Sequence, residues 1–129
     1  MDIIDFREYV LSLPFVEECT PFDETTLVYK IGGRMFACAD MEEFDRVTVK
    51  HDPDEGEALR DEHAEIPPAF HFNKRYWSSL SVGGDLPDSL IRELIRRSYL
   101  YTLRHTVTPK RLREELTMRI EEALKAEGE

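Results

Sequence analysis

Two consecutive glycines, Gly32 and Gly33, separate the runs LVYKI and RMFACA. A two-residue hairpin loop needs φ > 0 at both central positions, and glycine reaches that region without a Cβ penalty. The stretch therefore predicts two antiparallel strands across residues 27–39. An isolated hairpin is marginal in water, so it must join more strands and bury one face. RVTVK supplies a third strand, alternating Val47 and Val49 with Arg46, Thr48 and Lys50. YWSSLSV, ahead of Gly83-Gly84, supplies a fourth, and residues 17–20 a short additional one. The first connections are too short for crossover helices, which favours antiparallel pairing.

The remaining periodicities are helical. Ile3, Phe6, Tyr9, Val10 and Leu13 recur at helix spacing between Asp2 or Asp5 and Pro14, predicting a helix over residues 2–13. In PDSLIRELIRRSYLYTLR, Ile91, Leu94, Ile95, Ser98 and Tyr101 or Thr102 share a face opposite Arg92 and Arg96. A last helix is predicted from Thr108-Pro109, with Leu112, Leu116, Ile120, Ala123 and Leu124 on one stripe. Helices at both ends with strands between them give an α+β fold, the helices packed on one sheet face.

At 129 residues with 41% hydrophobic content, the chain has material for one core, so residues 1–129 are read as a single domain. No apolar run approaches the roughly 18 residues a membrane span needs. MDIIDFREYV is acidic and amphipathic, with neither a basic start nor a small-residue cleavage site. Both points lead to the expectation of a cytoplasmic protein with no membrane association. Cys19 and Cys38 lack CxxC spacing and read as small half-buried residues.

Charge is unevenly distributed. The formal net charge is -10, yet residues 70–113 hold 9 Lys+Arg against 3 Asp+Glu, while residues 1–69 hold 6 against 18. A segregated chain can present a local positive field even when its total is acidic. Pairing of these cations with acidic segments of the same fold is the other outcome.

The segment HDPDEGEALRDEH places His51, Asp52, Asp54, Glu55, Glu57 and His63 close in sequence. As an EF-hand loop it fails, because Glu57 stands where glycine is required and His63 where the bidentate glutamate belongs. Helix capping fits instead: Asp52 accepts the first helical N–H groups, Pro53 takes the first position, and Glu55 reaches back. A helix over residues 53–63 is expected. No GxSxG elbow, glycine-rich phosphate loop or HExxH occurs, so the expectation is a protein without catalytic activity, cofactor or specific metal site.

The run FHFNKRYW holds the only tryptophan beside a Lys-Arg pair and three other rings. Strand alternation puts Trp77 on one face with Ser79 and Ser81 if Leu80 points into the core. On that phase Trp77 stands on the open sheet face with Arg46, Thr48 and Lys50, where a ring among cations suits base stacking or a protein partner. A bulge near residues 73–76 would instead turn Trp77 inward.

Taken in order, PFDETTLVYKIGGRMFA, VTVKHDP, PPAFHFNKRYW and LPDSLIRELIRRSY resemble the successive signatures of the MmcQ/YjbR family across roughly residues 3–113. That resemblance implies a frataxin-like (CyaY-like) fold and a DNA-binding module of double-wing type. Residues 109–127 extend beyond it as a C-terminal helix. The sequence reading is thus a binding module whose partner is DNA, with a protein partner on the exposed sheet face as the alternative. The candidate contact residues are Lys50, His71, Asn73, Lys74, Arg75, Trp77, Lys110 and Arg111.

Overall fold

The computed structural model describes residues 1–69 and 72–127. The elements run α1 (Ile3–Ser12), β1 (Glu17–Cys19), β2 (Thr26–Ile31), β3 (Arg34–Asp40), β4 (Arg46–Lys50), α2 (Pro53–Glu62), β5 (Trp77–Ser81), α3 (Asp88–His105) and α4 (Lys110–Glu127). The strands lie side by side in chain order, each antiparallel to the next. Among the described residues, no helix is long and apolar enough to cross a membrane.

Local chemistry sets the boundaries. Asp2 caps α1 reciprocally: its carboxylate accepts the Asp5 amide at 2.8 Å, and the Asp5 carboxylate accepts the Asp2 amide at 3.3 Å. Gly32 and Gly33 take φ of 57° and 78°, which builds the two-residue turn the strands require. Gly32 is needed twice over, because a Cβ there would lie 2.8 Å from a Val107 methyl.

The core lies between one sheet face and the helices. Leu27, Ala39, Val47 and Leu80 form one cross-strand row on that face. Against it pack Phe6 and Val10 of α1, Leu59 of α2, Ile91, Ile95 and Tyr99 of α3, and Ile120 of α4. Each such side chain, fully buried, contributes about 1.5–3 kcal/mol of transfer free energy. The terminal helix is only loosely bound by comparison: Leu112 and Leu116 reach the core, while Met118 and Leu124 are exposed. Its predicted stripe therefore holds through Ile120 and lapses at Leu124.

Regular alternation breaks once, in β3. Tyr29 pairs with Ala37 but Lys30 pairs with Met35, so Phe36 is an inserted residue and both Phe36 and Ala37 are buried in the core. Ala37 and Val49 form the last pair on this side of the β3–β4 ladder. Beyond it, the buried hydroxyl of Ser98 spans the gap, donating to the Phe36 carbonyl at 2.6 Å and accepting the Lys50 amide at 2.8 Å.

The α4 start differs from expectation. Thr108 Oγ1 accepts Arg34 Nη2 at 2.9 Å rather than capping the helix, and α4 begins at Lys110 after a cis Thr108-Pro109 peptide. At α2, Asp52 caps as expected, accepting the Glu55 amide at 2.7 Å. Glu55, however, turns its carboxylate toward Arg97, 3.7 Å away on α3, instead of back to the cap.

Candidate nucleic-acid interface

Antiparallel order forces alternate loops to opposite ends of the sheet, and the charges follow. At one end lie the loops of residues 20–25, 41–45 and 82–88, tied by bonds from the Met41 amide to Thr25 and from the Val82 amide to Asp45. They carry Asp23, Glu24, Glu42, Glu43, Asp45 and Asp85, all exposed. The opposite end contains the Gly32-Gly33 turn, the end of β4 and the start of β5. There Lys50 pairs in register with Trp77, and Lys74 and Arg75 stand two and three residues before that tryptophan. Arg34 faces the same end, and its bond to Thr108 places the start of α4, with Lys110 and Arg111, alongside.

This end is not purely basic. Lys74 and Arg75 line a cavity of about 340 Å³ together with Arg60, Asp54 and Glu57. Lys110 lies 3.7 Å from Glu114 one turn along its own helix, while Arg111 is exposed and makes no ion pair among the described residues. Among the described residues, neither pairs with the acidic N-terminal segment.

Trp77 corrects the exposed-ring expectation. The strand phase is as the alternation requires, and Trp77 shares the non-core face with Ser79 and Ser81. The residue is nevertheless only 7% exposed. After α2 the chain returns along the free edge of β5, with the Ala69 amide bonded to Trp77 and the Ser79 amide to Pro67. Phe72 then lies against the indole at a centroid distance of 5.0 Å, and Lys50 Nζ sits 5.5 Å over the ring. No inward bulge is needed, because cover from above buries the ring. Trp77 offers no free surface to a base; it is a platform for Lys50. Burial, reinforced by repulsion from Arg34, pushes the Lys50 ammonium below its ordinary value.

The rest of that face is also less open than expected. Cys19, Val28, Cys38, Thr48 and Ser79 form a single row across all five strands, with Val28, Cys38 and Ser79 buried. Ala69 and Phe72 roof one side of a shallow cavity of about 270 Å³ whose far rim carries Asp40, Asp45 and Arg46. The two cysteines are separated by a full strand, roughly 10 Å at normal strand spacing, too far for a disulfide. Burial pushes the Cys38 thiol up to about 11.

The remaining predicted residues divide by role. Asn73 is a turn residue: its side-chain oxygen accepts the Arg75 amide at 3.1 Å and its carbonyl the Tyr76 amide at 3.0 Å. Arg75 packs on the Tyr76 ring at 6.0 Å, and the Lys74 carbonyl accepts Arg60 Nη2 at 2.9 Å. His71 lies outside the described residues.

Sequence reasoning missed three members of this region. Arg34 was visible, standing immediately after the glycine turn, but its value depends on the strand register. His51 stands out only as a neighbour of the α2 carboxylates, and its pairing with Ser78 gave no signal, the two being distant in sequence. Their side chains meet inside the fold, with His51 Nε2 and Ser78 Oγ 2.7 Å apart and His51 Nδ1 2.8 Å from the Asp52 carbonyl. A carbonyl only accepts, so Nδ1 carries a proton; in the neutral ring Nε2 is then the acceptor and takes the Ser78 hydroxyl proton. Burial holds its pKa below the usual histidine value. The separation is that of a nucleophile and its base, yet Ser78 is fully buried on the core face, closed to a substrate from solvent.

Comparison with known proteins places this architecture. A family model described as YjbR matches residues 11–101. The chain is 33% identical over 94 residues to the Escherichia coli O157:H7 protein YbdF, covering 72% of this chain and 77% of the relative. It is 32% identical over 100 residues to YjbR of Escherichia coli K12, covering 77% and 85% respectively. A crystal structure of a Deinococcus radiodurans protein with a DUF419 domain superposes with a TM-score of 0.78 at 38% identity, over 89% of this chain and 87% of that one. A Pseudomonas syringae protein shares the fold at a TM-score of 0.64 and 19% identity, over 79% and 99%.

Proposed function

The chain belongs to the YjbR family, and from that premise we propose that it is a non-catalytic binding module that meets the phosphates of DNA with the basic end of its sheet. One observation carries the reading. Lys74 and Arg75 lead into Trp77, Trp77 holds Lys50, Lys50 feels the charge of Arg34, and Arg34 is bonded beside Lys110 and Arg111. Cations from four separate stretches of an acidic chain thus converge on one end. With Trp77 covered, the contacts fall on phosphates, which position a protein on DNA but do not read sequence. Binding is therefore expected to be weakly sequence-dependent and strongly salt-dependent.

A protein partner on the non-core sheet face is the second reading, favoured by the cavity rimmed by Asp40, Asp45 and Arg46, whose mixed charge suits a polypeptide better than a polyanion. Titration of the folded protein with short duplex and single-stranded DNA, at low and physiological salt, separates the two. Saturable binding that weakens with salt supports the first. Absence of saturable binding even at low salt leaves the second.

A further inference from the structure

We infer that His51 influences the placement of Lys74 and Arg75: protonation of its buried ring breaks the Arg60 bond to the turn of residues 72–76 that carries them. The regulatory meaning of this release rests on the DNA-binding reading above, whereas the release itself does not. The connection is a continuous relay of polar contacts. The Ser78 hydroxyl donates to His51 Nε2 at 2.7 Å, Arg60 Nη2 lies 3.4 Å from the same hydroxyl oxygen, and that nitrogen donates to the Lys74 carbonyl at 2.9 Å.

In its neutral form the ring fits this arrangement fully. Nδ1–H is taken by the Asp52 carbonyl and Nε2 by Ser78, and Gly56 leaves the ring its space on α2. A proton added at Nε2 changes three things together. The Ser78 hydroxyl loses its acceptor; Nε2–H turns toward an oxygen that now has to receive it; and a second full cation stands one hydroxyl away from the Arg60 guanidinium. Ser78 itself is fully buried. Repulsion between the two cations is therefore poorly screened there. Arg60 is the partner that yields, because it is only half-buried, whereas the His51 ring is buried and held at both nitrogens. When Arg60 swings out, its bond to the Lys74 carbonyl is lost.

The surrounding charges do not cancel this effect. Asp52 and Glu55, at the start of α2, are the nearby carboxylates. Asp52 directs its carboxylate to the Glu55 amide, and Glu55 faces Arg97 of α3. From β5 the ring bonds the uncharged Ser78, and the α3 phenol of Tyr101, which feels Asp52, is held above its ordinary value by burial and stays neutral.

The test is an NMR titration of the whole chain between neutral and mildly acidic pH, following the His51 Cε1 proton and the amides of Asn73, Lys74, Arg75 and Tyr76. These amides are expected to shift with the same midpoint as His51. Because His71 is close in sequence, the titration is repeated in His71→Gln: shifts that persist support the proposal, and shifts that vanish with that imidazole overturn it. In Arg60→Met the relay is cut, so the His51 midpoint is expected to rise and the four amides to sit near their acid positions already at neutral pH. Should that variant fail to fold, the wild-type and His71→Gln titrations decide alone. Amides of residues 73–76 that stay still while His51 titrates overturn the proposal. If they follow His51 but no DNA binds at any salt, the release stands and only the nucleic-acid reading falls.

Discussion

Gly56 leaves open the space that the His51 imidazole fills: a Cβ at that helical position would lie 2.4 Å from His51 Cε1 and 2.8 Å from Nδ1. The neighbour is a ring held at both nitrogens, so it cannot simply rotate away. Helix propensity alone would make Gly56→Ala stabilising by about 0.8–1.0 kcal/mol. The clash reverses the sign, and a net loss of about 1–3 kcal/mol is expected from overpacking. Denaturant unfolding of the double variant with His51→Ala checks this, since removing the ring should make Gly56→Ala favourable relative to that background.

Ser98→Ala isolates the bulge. It leaves the buried Phe36 carbonyl and the part-buried Lys50 amide without their shared partner. A loss of about 1–3 kcal/mol is expected, as for other buried groups left unsatisfied. Urea unfolding should show a lower midpoint with an unchanged slope, while Ser89→Ala on the exposed start of the same helix should be nearly silent.

Trp77→Ala is expected to lower stability by about 3–5 kcal/mol, the usual cost of truncating a buried large aromatic. The native indole, covered by Phe72 and Lys50, should emit at short wavelength and shift to the red on unfolding. Addition of DNA should leave that emission unquenched. Strong quenching by single-stranded DNA would restore the stacking role that the covered ring argues against.

Arg7 binds Glu18 through two bonds of 2.7 and 3.0 Å, and Tyr29 donates to the same carboxylate at 2.7 Å. The Arg7 hydrogen bond chiefly holds the Glu18 carboxyl below its ordinary value of 4.5. A lowered folded-state pKa stabilises above the unfolded value and loses that stabilisation as pH falls through the folded one. Wild type should therefore lose stability below about pH 4.5 more steeply than Glu18→Gln, which lacks the titrating group. Thermal unfolding at a series of acidic pH values makes the comparison.

In DNA titrations, Lys50→Met, Arg75→Ala and Arg111→Ala should each reduce the slope of log affinity against log salt by about one unit, one phosphate contact apiece. Arg46→Ala, toward the acidic end, should leave it unchanged. Equal effects at both ends would remove the oriented contact and leave only a diffuse attraction.

Much of this fold is legible because its signals are local. The hairpin follows from two glycines, α2 from an aspartate followed by proline, and β4 from strict alternation in RVTVK. What escaped notice depends on contacts between distant segments. Phase alone places Trp77 on the non-core face correctly, but its burial requires the stretch after α2 to fold back along β5. The adjacent prolines of that stretch argue against a strand, although Pro68 can sit on a free edge where no amide is needed. Nor does RMFACA reveal that Phe36 is the inserted residue, since the register shift is completed by Ser98 from another element. The basic end is half legible for the same reason: Lys74 and Arg75 stand out as a pair, while Arg34 joins them only when the register carries it to the same end.

Opposite charges at the two ends of one sheet also give this molecule a heading. In the uneven field around a polyanion, the net charge of -10 resists approach, yet the separated charges generate a torque that turns the end bearing Arg34 and Arg111 forward. On the DNA-binding reading, orientation thus precedes contact, and the angle of arrival, more than the total charge, decides which encounters become productive.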